Sequence, residues 1–236
     1  MYTPEKLKEF EREVVNIFND GQLKSPVHLS GSKDNIQEEK LIEIFKDIKK
    51  EDWVFSTYRS HYHALLKGIP EEWLKNWIKD NKSIHVMNKE HKFFTSAIVA
   101  GCLPIAVGTA MAIKREWGDM DVEMNIGKED TWKPHVWIFI GDMTASLGIF
   151  RDCHKYATYH KLPITFVIED NGLSTDTPTK KVWGKIGNHW FEEFGRSFYD
   201  NIIYYKYERT YPHYGTGKFV AKIWDEVKED IKSKGF

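Results

Sequence analysis

The sequence predicts an α/β protein, a parallel sheet flanked by helices, from three observations. Two compact apolar runs, Val136-Trp137-Ile138-Phe139-Ile140 and Ile164-Thr165-Phe166-Val167-Ile168, have the length and composition of strands buried on both faces. Between them Leu147, Ile149, Phe150, Cys153, Tyr156, Ala157 and His160 recur at helical spacing, with Arg151, Asp152 and Lys155 on the opposite face and Pro163 closing the segment. Strand, helix and strand joined by short connections form a right-handed crossover between parallel strands. Gly141-Asp142 and Glu169-Asp170-Asn171-Gly172 therefore emerge together at the carboxyl edge, where open α/β sheets bind ligands.

The remaining elements follow in order. Thr3 is a good N-cap, Pro4 suits the first helical position, and Leu7, Phe10, Val14, Ile17 and Phe18 form a stripe that stops before Gly21. After Val27-His28-Leu29-Ser30 a second helix is predicted over Gln37 to Lys49, with Leu41, Ile42, Ile44, Phe45 and Ile48 inward. Trp53 to His61 reads as a short strand ending in a polar cluster, and Pro70 to Lys79 as a helix. Ala97 to Ile113 is apolar and rich in small residues, but it is short, contains Pro104 and two glycines, and lies mid-chain, so it predicts a buried helix and not a membrane span. A polar loop leads to Lys133 and the central strand. Beyond Asn171, Ser174 to Trp183 reads as a loop, Trp190 to Phe194 as a short helix, Ile202 to Tyr207 as a strand and Phe219 to Ile231 as a closing amphipathic helix.

Composition narrows the function classes. At 236 residues, with 41% hydrophobic and 29% charged content, the chain fits one globular domain spanning 1–236. A net charge of −1, from 34 basic and 35 acidic residues, gives no electrostatic footprint for nucleic acid or an anionic membrane. Cys102 and Cys153 sit in apolar settings and are read as buried free thiols of a reducing compartment. Met1 to Lys6 reads as the start of a polar helix and not as a signal peptide, which places the protein in the cytoplasm.

Two places carry chemistry. A carboxylate at Asp142 and an amide oxygen at Asn171, beside a Gly-assisted turn that exposes backbone carbonyls, suit Mg²⁺, which takes oxygen ligands and completes its shell with water and phosphate. The same residues also fit a helix cap and an ordinary turn. Arg59, flanked by Tyr58 and His61 at a strand end, fits an anion clamp, since guanidinium grips phosphate oxygens in a fork, or equally a surface arginine. No Gly-rich dinucleotide fingerprint or Walker loop is present.

Gly141-Asp142 followed 29 residues on by Asn171, with Lys161-Leu162-Pro163 before the second strand, resembles the thiamine diphosphate motif. The chain is similar to the alpha subunit of the decarboxylating component of 2-oxo acid dehydrogenase complexes. Val27-His28-Leu29-Ser30, Tyr58-Arg59-Ser60-His61, Ser83-Ile84-His85-Val86-Met87, the stretch from Ala97, and Arg209 with His213 four residues later match further family segments in the right order. The resemblance implies a thiamine diphosphate-binding fold in which Asp142, Asn171 and the Leu173 carbonyl bind Mg²⁺. It implies that Tyr58 and Arg59 hold the diphosphate with Met143 and Thr144 beside it, and that Ala97 and Val99 touch the pyrimidine. His61 would face the reaction centre, His213 would contact diphosphate and substrate, and His28 and His85 would lie near the site.

The sequence departs from the family at Met143, where the motif has Gly, at Gly31-Ser32-Lys33, at Tyr62-His63, and between Phe198 and Ile202, where about a helix is missing. The function implied is an alpha-type subunit of a thiamine diphosphate- and Mg²⁺-dependent dehydrogenase that decarboxylates a small 2-oxo acid. A beta-type partner in an α₂β₂ heterotetramer would supply the glutamate that activates the cofactor pyrimidine, with His61 and His213 polarising substrate or carrying protons. The alternatives are the amino-terminal half of a split transketolase-like enzyme and a non-catalytic subunit of the same fold.

Overall fold

A computed structural model describes residues 2–118, 133–175, 177–183 and 201–210. Its centre is a six-stranded sheet made of β1 (Trp53–Ser56), β2 (Met87–Asn88), β3 (Phe93–Thr95), β4 (Val136–Gly141), β5 (Ile164–Asp170) and β8 (Ile202–Lys206) in the order β2-β3-β1-β4-β5-β8. All neighbours are parallel except β2 and β3. The predicted crossover is present: Val136 pairs with Ile164 and Ile140 with Ile168, so Gly141 stands beside Glu169 at the carboxyl edge.

Side chains alternate along β4 and explain why it reads as a continuous apolar run. Val136, Ile138 and Ile140 pack with Phe166 and Ile168 against α5 (Cys102–Trp117) and α7 (Gly148–Tyr159). Phe139 and Val167 point the other way, into a core closed by α1 (Pro4–Asn19), α2 (Ile36–Phe45), α3 (His61–Leu66) and α4 (Glu71–Lys79). The α1 stripe is buried at Leu7, Phe10, Val14 and Phe18, and Thr3 caps the helix through Oγ1, which accepts from the Lys6 amide at 3.4 Å.

Several boundaries differ from the sequence reading. The apolar helix begins at Cys102 and not Ala97, because Ala100 adopts a left-handed φ of 66° and the Ser96 hydroxyl takes the Ile98 amide in a turn. It ends at Gly118, whose φ is 79°. No helix among the described residues is long and apolar enough to cross a membrane. On α7 only Phe150, Cys153 and Ala157 are buried; Ile149 and Tyr156 lie at the margin of that narrow stripe and are exposed. The second helix stops at Phe45, and α3 appears where a strand end was expected. Ser174 to Trp183 is not a loop: β6 (Leu173–Ser174) and β7 (Thr177–Pro178) form a hairpin around Thr175, at φ 58°, and lead into α8 (Thr179–Trp183). The helices expected at 190–194 and 219–231 lie outside the described residues.

Candidate functional site

A cleft opens at the carboxyl edge of β1, β4 and β5. Its walls bring together Tyr58, Arg59, Val99, Met143, Thr144, Asn171 and Leu173 from the sequence-derived set, along with Thr57, Ser96, Glu169 and Tyr207.

Tyr58 and Arg59 lie in the turn between β1 and α3. Arg59 is buried, and its Nη1 donates to the Leu29 carbonyl. The His28 ring packs on Tyr58 at a centroid distance of 4.2 Å. The Val27 to Ser30 segment that supports both is fastened by buried carboxylates: Glu11 accepts from the Ser30 amide at 2.8 Å, and Glu38 accepts from the Ser32 amide at 3.0 Å. A guanidinium fixed in this way on a cleft wall is preorganised for an anion, because its ordering cost is met on folding.

The opposite wall is the edge of β4 and β5. Asp142 Oδ2 accepts from the Thr179 hydroxyl of α8, while Oδ1 is buried without a hydrogen bond. Burial is the main cause that pushes the Asp142 carboxyl up to about 6; the nearby Asp170 adds to this and the Thr179 bond opposes it. Asn171 presents Oδ1 to the Leu173 amide at 3.0 Å and donates through Nδ2 to the Tyr207 hydroxyl at 3.1 Å. Gly172 holds the turn at φ 68°, a conformation that favours glycine, and its amide donates to Asp170 Oδ1 at 2.9 Å. Tyr204 donates to the other Asp170 oxygen at 2.6 Å, so Asp170 is fully engaged.

The residues fit a metal-bound diphosphate. Asp142, which does not itself line the cleft, offers a buried carboxylate, Asn171 and Leu173 on the cleft wall offer amide and carbonyl oxygens, and Arg59 lines the same cleft. Among the described residues no group of three or more His, Cys, Asp and Glu could hold a metal. Met143 occupies the place of the motif glycine, where its Sδ accepts from the Trp183 indole N–H at 3.3 Å.

Other sequence-derived residues lie elsewhere. His61 is not on the cleft: it is fully buried, with Nδ1 at 3.1 Å from Glu11 Oε2 and Nε2 at 2.9 Å from Ser83 Oγ. Both ring nitrogens are thereby engaged by protein groups, a structural arrangement. Ala97 is half-buried and His85 exposed, and neither lines the cleft. His213 lies outside the described residues, while Arg209 donates to the Thr175 carbonyl at 2.7 Å.

Sequence reasoning missed a buried network behind the cleft. Glu169 Oε2 meets His63 Nε2 at 3.1 Å, and Oε1 accepts from Gln37 at 3.1 Å and from the Tyr205 hydroxyl. His63 Nδ1 is 3.0 Å from Ser56 Oγ. Burial opposes the charge on Glu169, yet His63 and the hydrogen bonds of Tyr205 and Gln37 together hold its carboxyl below the usual range. The only sequence sign was Tyr62-His63 standing where the resembled family has Gly.

The Asp142 shift has a testable consequence. A carboxylate whose folded pKa lies above its ordinary value makes the protein less stable as pH rises between the two, here between about 4 and 6. The metal-free chain should therefore lose part of its stability from pH 4 to 6.5, and Asp142→Asn should flatten that slope and raise the melting temperature at pH 7 by roughly 2–4 °C. Thermal melts across that range check it; an unchanged slope in the variant would remove Asp142 as its source.

A mostly parallel sheet flanked by helices, with a cleft at its carboxyl edge lined by Arg59 and Asn171, defines an α/β domain. The family model described as Dehydrogenase E1 component matches residues 27–183, and the chain belongs to that family. This bears out the resemblance carried by Gly141-Asp142 and Asn171. The chain is 29% identical to the pyruvate dehydrogenase E1 component subunit alpha of Porphyra purpurea, over 70% of its own length and 47% of that protein. It is 30% identical to the chloroplastic pyruvate dehydrogenase E1 component subunit alpha-3 of Arabidopsis thaliana, over 75% of its own length and 42% of the relative. It thus spans less than half the length of either relative. A solved structure of a candidate thiamin diphosphate-dependent enzyme from Mycobacterium smegmatis aligns at 20% identity and a TM-score of 0.39, covering 60% of this chain and 22% of its own.

Proposed function

We propose that this chain, as a single domain, is the alpha-type subunit of a thiamine diphosphate- and Mg²⁺-dependent enzyme that decarboxylates a small 2-oxo acid. The observation that carries the reading is that Asn171 and Leu173 share one cleft with the fixed Arg59, with the buried Asp142 carboxyl between the lining residues Gly141 and Met143 in sequence. Asp142, Asn171 and the Leu173 carbonyl would hold the metal; Tyr58, Arg59 and Thr144 would hold the diphosphate; Val99 would meet the pyrimidine.

Thiamine diphosphate held by these residues would supply the nucleophilic and electron-accepting chemistry that decarboxylation of a 2-oxo acid needs. The residues of this chain bind and orient. Arg59 neutralises diphosphate charge from a position it does not leave, and Asp142 with the metal fixes the register of the other end. The glutamate that would activate the pyrimidine comes from a beta-type partner in an α₂β₂ assembly, so the chain has half a site. His213 remains the candidate for the substrate side, whereas His61, enclosed by Glu11 and Ser83, would act only by supporting the Arg59 turn. The two buried free thiols fit the reducing conditions of a cytoplasmic protein.

Met143 favours one second reading. A thioether where the resembled motif has Gly narrows the cleft, as expected of a subunit kept for assembly only. Co-expression with a candidate beta chain separates the two: CO₂ release from a 2-oxo acid, dependent on thiamine diphosphate, is expected of the enzyme. A stable complex that releases none from any 2-oxo acid would establish the assembly role, and transfer of a ketol group between sugar phosphates would point to a transketolase-like half.

A further inference from the structure

An asparagine amide has an oxygen end and a nitrogen end of the same size, and only the oxygen can ligate a cation. Whatever fixes the amide therefore decides whether Asn171 is a ligand. In this chain the Leu173 amide, which can only donate, sets which end is the oxygen, and the Tyr207 hydroxyl, which can accept or donate, secures the far end in that setting. The Leu173 amide, a donor, faces Oδ1 at 3.0 Å, and the Tyr207 hydroxyl faces Nδ2 at 3.1 Å.

Tyr207 is unable to swing away. It is only 6% exposed, and its backbone amide donates to the Asp170 carbonyl at 2.9 Å. The residues after it are clipped to the segment below Arg59: the Lys33 amide donates to the Glu208 carbonyl at 2.9 Å and the Thr210 amide to the Gly31 carbonyl at 3.0 Å. The phenol reaches the cleft wall it shares with Asn171 and Arg59.

We propose that Tyr207 is a positioning residue for the cation site: its hydroxyl accepts the Asn171 Nδ2–H and so holds the amide with its oxygen as the end offered to the metal. This rests on the metal site proposed above and extends it to a residue that touches neither metal nor cofactor. Leu173 uses one lone pair of Oδ1, and the second is the one kept for the ion. A side chain without the hydroxyl leaves the amide restrained from one side only.

The test titrates Mn²⁺ into the whole chain with thiamine diphosphate present, read by water-proton relaxation of the bound ion. Four proteins are compared: wild type, Tyr207→Phe, Asn171→Asp and the double variant. Tyr207→Phe should weaken Mn²⁺ binding about fivefold to tenfold with Asn at 171, the loss expected of one hydrogen bond. It should change binding less than about twofold with Asp at 171, because a carboxylate presents oxygen at either end and needs no orientation.

Equal losses in both backgrounds would make Tyr207 a packing residue and overturn the proposal, as would no loss with Asn. Failure of the wild type itself to bind Mn²⁺ would overturn the metal site and this role with it, whereas wild-type binding with unaltered Tyr207→Phe overturns this role alone. Should Tyr207→Phe fail to fold, nuclear magnetic resonance of the wild type decides. Contacts between the Asn171 side-chain NH₂ protons and the Tyr207 ring support the proposal, and their absence overturns it.

Discussion

Replacing Asp142 by alanine is expected to weaken metal-dependent binding of thiamine diphosphate at least about a hundredfold, since even residues that only support a metal ligand cost 10–100-fold when lost. Calorimetric titration with the cofactor, with and without Mg²⁺, reads the effect in wild type and Asp142→Ala. Asp142 is the carboxylate of the oxygen set, and it is buried beside Asn171. Equal affinity in the two proteins would take Asp142 out of the site. If neither binds, Met143→Gly is the next variant: recovered binding would mark the thioether as the obstacle and the chain as a divergent, structural relative of the enzymes.

The largest stability effect is expected at His63→Ala. Glu169 stays buried and keeps its two donors on Oε1, but loses the imidazole on Oε2. Breaking a buried pair from one side costs about 3–5 kcal/mol, because a charge is left uncompensated. The pH dependence should also invert. In the wild type Glu169 titrates below the ordinary 4.5, so its contribution is whole above that value and is lost as pH falls through the folded one. Without His63 burial wins, the folded pKa rises, and the variant should lose stability as pH rises above about 4.5. Urea unfolding at pH 5 and 7.5 tests both; a loss under about 1 kcal/mol at pH 7.5 would show that the pair is not held as a charge pair.

The centre of the fold was legible because it is local. A crossover unit needs only two apolar runs and an amphipathic spacer, and β4, α7 and β5 have them within 35 residues. Asp142 and Asn171 were legible for the same reason, each being the residue at or just past a strand end. His61 was read as part of a motif with Arg59, but Arg59 lies in the turn and His61 opens α3, and its ring turned toward Glu11 in place of the cleft. Glu169 and Gln37 left no signal, and His63 only its departure from the family pattern, because their meaning lies in contacts between α2, α3 and β5, up to 132 positions apart. The β6–β7 hairpin hid behind polar residues and a left-handed Thr175, which single-residue preferences do not anticipate.

The bridge between Ser32 and Arg209 joins positions about 180 apart in the sequence. A chain being synthesised can pair β4 with β5 and close much of both cores on them before Tyr205 and Tyr207 leave the ribosome. Until then the Val27–Ser32 segment lacks its clip and Asn171 lacks its phenol. The cleft is thus the last part of the described molecule to be completed during birth, and a nascent chain halted before Ile202 would have most of its core and no finished place for a cofactor.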